Sequence, residues 1–92
     1  MTPNYRVELL PSAARQQRKL PRPAQKQVAA ILAGLSVDPW PPGFKPLVGA
    51  PGMLRVRSGS YRVIYQVAHR SKLLVMVVWV GNRRDAYRHL RR

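Results

Sequence analysis

The sequence predicts an α+β fold: an antiparallel sheet in β-α-α-β-β-β order, packed against an N-terminal helical pair and followed by a short C-terminal helix or tail. Three observations carry this. Val28, Ile31, Leu32 and Leu35 recur at the i, i+3, i+4, i+7 spacing of a core-facing helical stripe. Residues 53–57, 61–68 and 73–80 are alternating or continuous apolar runs of strand length. The turns between those three runs are short, which suits antiparallel neighbours. A chain of 92 residues supplies one modest core, so a single domain over 1–92 is expected.

Taken in order, TPNYRVELL reads as a first strand, with Tyr5, Val7 and Leu9 on one face and Arg6 and Glu8 on the other. Pro11-Ser12 marks a helix start with Ser12 as N-cap, and a basic helix over 13–20 follows. Leu20-Pro21 ends it, because a residue before proline is pushed out of the α region. Pro23 fits the first turn of a second helix, in which Gln25, Lys26 and Gln27 face water. Asp38-Pro39 closes that helix. Residues 39–52 hold five prolines and three glycines; they read as a connector that Trp40 and Phe44 pin to the core, in competition with a disordered linker. Ser58-Gly59-Ser60 and His69-Arg70-Ser71 are the turns between the last three strands, and Gly81-Asn82 breaks the final one. That final strand is apolar on both faces, so it belongs in the middle of the sheet.

Charge is the outlier. Seventeen Lys+Arg stand against three Asp+Glu, a formal net charge of +14. Self-repulsion of that size points to an anionic partner, nucleic acid first and an anionic membrane surface second. The absence of cysteine excludes disulfides and thiolate metal sites. No apolar leader and no run of about 20 apolar residues is present, so a cytoplasmic protein without membrane insertion is expected.

The remaining inventory narrows the chemistry. Glu8, Asp38 and Asp85 are too few and too dispersed for a two-metal nuclease or a carboxylate pair, so no metal or other cofactor is expected. His69 and His89 are isolated. Arginine and tyrosine are plentiful, and RNA supplies its own nucleophile, the 2′-hydroxyl. Guanidinium groups hold phosphate oxygens bidentately and can stabilise a developing oxyanion. Residues alone therefore support RNA binding strongly and RNA cleavage weakly.

Three stretches, PSAARQQRKLP, KPLVGAPGMLRVRSGSYRVIYQV and VWVGNRRDAYR, together resemble the RelE/ParE superfamily of toxins from bacterial toxin–antitoxin modules, more narrowly its RelE branch. The resemblance spans nearly the whole chain in the same element order. It implies a metal-independent mRNA endonuclease acting in the ribosomal A site. Attack by the 2′-hydroxyl would leave a 2′,3′-cyclic phosphate. Arg55, Arg57, Arg62, Arg83 and Tyr87 match the family's site positions. Best-studied members carry lysines where this chain has Arg55 and Arg57; arginine positions phosphate but stays protonated, so the general base is left open. Arg15, Arg18, Lys19, Arg22 and Arg84 suit contacts to RNA backbone, whose alternative is a solvated basic face. The implied partners are a cognate antitoxin, the ribosome and mRNA. Two other readings stand beside this one: a ParE-like inhibitor of DNA gyrase, and a non-catalytic RNA-binding module. Whether Arg55 and Arg57 join Arg62 on one face depends on the register across Ser58-Gly59-Ser60.

Overall fold

A computed structural model describes residues 4–69 and 73–82. In chain order they form β1 (Arg6–Leu9), α1 (Pro11–Lys19), α2 (Arg22–Val37), β2 (Lys45–Pro46), β3 (Leu54–Ser58), β4 (Tyr61–His69) and β5 (Leu74–Asn82). The five strands make one sheet in the order β1-β5-β4-β3-β2, with the helices on one of its faces. The expected α+β class and element order hold, with β2 as an addition. The sheet is antiparallel through β2, β3, β4 and β5, whereas β1 runs parallel to β5, from Arg6 opposite Leu74 to Leu9 opposite Val77. Parallel pairing is possible there because two helices, not a hairpin, follow β1.

The second helix carries Pro23 in its first turn as expected, whereas the first begins differently from the expected capping pattern. Pro11 and not Ser12 opens α1, Leu10 is its N-cap, and no side chain caps it. Proline fits the first helical position because an N–H there has no intrahelical acceptor to lose. Leu20 ends α1 in extended conformation, as the following proline requires. Gln25 does not face water alone: its Nε2 donates to the Arg18 carbonyl at 2.9 Å and the Leu20 carbonyl at 3.0 Å. It thereby satisfies carbonyls that the end of α1 would leave open. Strand β5 continues through Gly81 and Asn82, so these residues extend the strand that they were expected to break. His69 likewise lies in β4.

The main core lies between helices and sheet. Val28 and Leu35 of α2 and Ala13 of α1 pack with Val63 and Tyr65 of β4 and Val75, Val77 and Val80 of β5. A second, smaller core lies on the other face, where Leu47, Ile64 and Trp79 pack with Ala50, Met53 and Val78. The proline-rich connector is thus ordered against the sheet. Trp40 does anchor it, packing T-shaped against Tyr5 with ring centroids 6.1 Å apart, but Pro39 and Leu47 are its deeply buried apolar residues. At its start the Tyr65 hydroxyl donates to the Pro39 carbonyl at 2.6 Å.

Candidate nucleic-acid interface

The hairpin between β3 and β4 decides where the arginines point. Ser58 pairs with Tyr61, so the loop is two residues, Gly59 and Ser60, with Gly59 at φ 59°. Two-residue hairpin loops favour positive φ, which glycine adopts without steric cost. Arg57 therefore stands directly opposite Arg62, and Arg55 opposite Ile64. A three-residue loop would have set Arg57 against Tyr61 and sent it to the helical face. Opposed residues share a face, so Arg55, Arg57 and Arg62 are together on the side away from the helices.

That face has two cross-strand rows. One runs Lys45, Arg55, Ile64, Trp79, and the other Arg57, Arg62, Gly81. Lys45 enters through β2 as a fourth cation that the connector reading had overlooked. Arg57 and Lys45 are exposed and Arg55 is half-buried. Arg62 is only 7% exposed, the buried charged side chain among the described residues. Burying a guanidinium is costly unless it is partnered. The carboxylates of the described residues are distant in topology: Glu8 is on edge strand β1, 2.8 Å from Arg6, and Asp38 follows α2. A field of this sign across three strands concentrates anions, and guanidinium forks match phosphate oxygens.

The helical cations form a separate group. Arg15, Arg18, Lys19 and Arg22 are exposed on α1 and the start of α2, in the layer across the sheet from Arg62. Lys19 comes nearest to the strands. It lines a cleft of about 410 Å³ with Gln16, Leu20, Tyr61, Trp79, Val80, Gly81 and Asn82, at the end of β5. Gln16 fastens that corner by accepting a hydrogen bond from the Val80 N–H at 3.0 Å. Arg83, Arg84 and Tyr87 lie outside the described residues.

Tyr65 is structural. It is fully buried, and burial, with the Asp38 carboxylate adding to it, pushes its pKa up to about 12. Among the described residues no three metal-ligating side chains converge, and no helix is long and apolar enough to cross a membrane.

A basic sheet face backed by a helical hairpin is the plan of a known class of small toxins. The family model for the ParE toxin of type II toxin–antitoxin systems, parDE, matches residues 7–87. The toxin–antitoxin complex RelBE2 of Mycobacterium tuberculosis matches at 27% identity over 90% of this chain and 95% of that one, with a TM-score of 0.77. The intact E. coli RelBE complex matches at 29% identity over 85% and 95%, with a TM-score of 0.71. A free E. coli RelE variant matches at 26% identity over 95% and 92%, with a TM-score of 0.74. Comparison with curated protein sequences gives no match. The chain belongs to the ParE toxin family of type II toxin–antitoxin systems, within the RelE/ParE superfamily, and its fold is RelE-like.

Proposed function

We propose that this toxin is a metal-independent, ribosome-dependent mRNA endonuclease of the RelE type. The observation that carries the reading is the shared face of Arg55, Arg57 and Arg62, with Arg62 buried in it. In the proposed reaction the 2′-oxygen bonds to phosphorus and the bond to the 5′-oxygen breaks, giving a 2′,3′-cyclic phosphate and a 5′-hydroxyl. The three arginines hold the non-bridging oxygens and offset the charge that grows in the phosphorane-like transition state. One preorganised donor in such a site is commonly worth about 3 kcal/mol. Arg83 stabilises the charge on the leaving oxygen, which takes its proton from water, and Tyr87 stacks on or orients the nucleotide, roles carried over from the family resemblance. The 2′-proton goes to a group other than Arg55 or Arg57, since arginine stays protonated.

Arg15, Arg18, Lys19, Arg22 and Arg84 serve as contacts to ribosomal RNA backbone. The antitoxin partner is an acidic chain that covers basic and apolar surface; matched RelE toxins occur in complexes with RelB antitoxins. Inducing the protein and mapping transcript ends by primer extension tests the reading, with new 5′ ends expected inside translated messages. Growth arrest without such ends overturns it.

The description of the matching family model as a ParE toxin favours a second reading, inhibition of DNA gyrase. Cleaved DNA complexes would then accumulate after induction. Those relatives generally lack the set of basic residues and tyrosine matched by this chain, which ranks this reading second.

A further inference from the structure

We infer that Trp79, seated by Gly81, is a positioning residue that holds Arg62 ready for a phosphate oxygen; this rests on the reading of Arg62 as a phosphate ligand. Arg62 has Arg57 opposite it on β3 and Gly81 opposite it on β5. A side chain at 81 would stand about 5 Å away from Arg62 at its Cβ, on the same face. That space is already filled. A Cβ built on Gly81 would lie 2.8 Å from Trp79 Cη2, 2.9 Å from Cζ2 and 3.5 Å from Cζ3. All three atoms belong to the six-membered ring, so the indole reaches out of its own row and lies across Gly81. Gly81 is not among the glycines with positive φ, so the position uses the missing side chain and not an unusual backbone.

The indole is also fixed from behind. Trp79 is 4% exposed and packs with Ile64 and with Leu47 of the connector. Arg62 therefore leaves the sheet between a like charge on β3 and a rigid aromatic ring on β5. An aromatic ring is a favourable neighbour for a guanidinium, whereas Arg57 repels it. A ring lying over Gly81, opposite Arg62, limits the room open to the Arg62 side chain before RNA arrives. A cation that need not reorganise during the reaction stabilises the transition state most. Trp79 is too buried to stack on a base, so its effect on RNA passes through Arg62.

The test uses the full-length toxin with Trp79→Leu and with Trp79→Phe, whose single ring is too short to cover Gly81 and which keeps an aromatic anchor if the leucine variant does not fold. Two readouts are taken: relaxation of the Arg62 Nε–H group by NMR, and single-turnover cleavage of mRNA on programmed ribosomes, the cleavage both with and without Arg62→Ala. Arg62 should become more mobile in both Trp79 variants. Cleavage should slow by about ten- to a hundredfold, the scale of a misplaced catalytic group, with half-saturating concentration changed less than about twofold. With Arg62→Ala present, Trp79→Leu should cause no further loss. Unchanged Arg62 mobility, or an equal further loss in the Arg62→Ala background, overturns the inference. Wild-type protein that cleaves no RNA overturns the endonuclease reading alone, and the mobility of Arg62 then decides the positioning role.

Discussion

Tyr65→Phe should lower stability near neutrality and raise it in alkali, with a crossing near pH 11. Tyr65 is fully buried and its hydroxyl donates to the Pro39 carbonyl at 2.6 Å. Removing the hydroxyl strands that carbonyl and costs about 1–2 kcal/mol. Folding raises the tyrosine pKa from 10.0 to about 12. Between those values the unfolded chain has released a proton that the folded protein keeps, so stability falls as pH rises. The contribution is whole below pH 10 and its loss saturates above pH 12. Two pH units at about 1.36 kcal/mol each make the full loss roughly 2.7 kcal/mol. Half of it, about 1.4 kcal/mol, is gone by pH 11, which cancels the initial disadvantage of the variant. Lysine titration is common to both proteins and drops out of the difference. Urea unfolding followed by circular dichroism between about pH 8 and pH 12 measures it. Curves that stay parallel across that range would refute the reasoning. The bond bears on the site because Pro39 begins the connector that carries Lys45 and Leu47 onto the sheet.

Three further outcomes follow from the same packing. Leu47→Ala, at a site 5% exposed against Ile64 and Trp79, should cost about 2–4 kcal/mol in thermal or chemical unfolding. Gln25→Ala removes both bonds to the last carbonyls of α1; it should cost about 1–2 kcal/mol and speed amide exchange in α1 more than in α2. Lys45→Ala should weaken RNA binding and reduce the slope of log affinity against log salt by about 0.7, the value for one lost phosphate contact.

The element order was legible because apolar spacing in α2, β4 and β5 reports directly on burial. The alternation of Arg55 and Arg57 was equally plain. What local pattern could not give was register: a turn of three residues and a turn of two fit Ser58-Gly59-Ser60 alike, yet they send Arg57 to opposite faces. Lys45 was hidden because a two-residue strand among prolines has no periodicity. Trp79 was hidden by a bulge. The register shift between Ile64 and Tyr65 leaves Val78 unopposed, so Val77 and Val80 both face the helices while Trp79 faces the arginines. The apolar run 73–80 carries no mark of that switch. Parallel pairing of β1 was likewise invisible, since it depends on a partner nearly seventy residues away, Arg6 against Leu74. Gln25 looked like a solvent-facing polar residue because its partners, the ends of α1, exist only after the helical hairpin closes.

The central claim is that the arginine face drives attack by an RNA 2′-hydroxyl. Purified toxin and ribosomes programmed with an mRNA bearing one 2′-deoxynucleotide at the scissile position test it most directly. The account predicts that the all-ribose message is cut to a 2′,3′-cyclic phosphate by the wild-type protein and far more slowly by Arg62→Ala, while the 2′-deoxy message survives. Cleavage of the 2′-deoxy message at the same bond, or undiminished cleavage by Arg62→Ala, would contradict it.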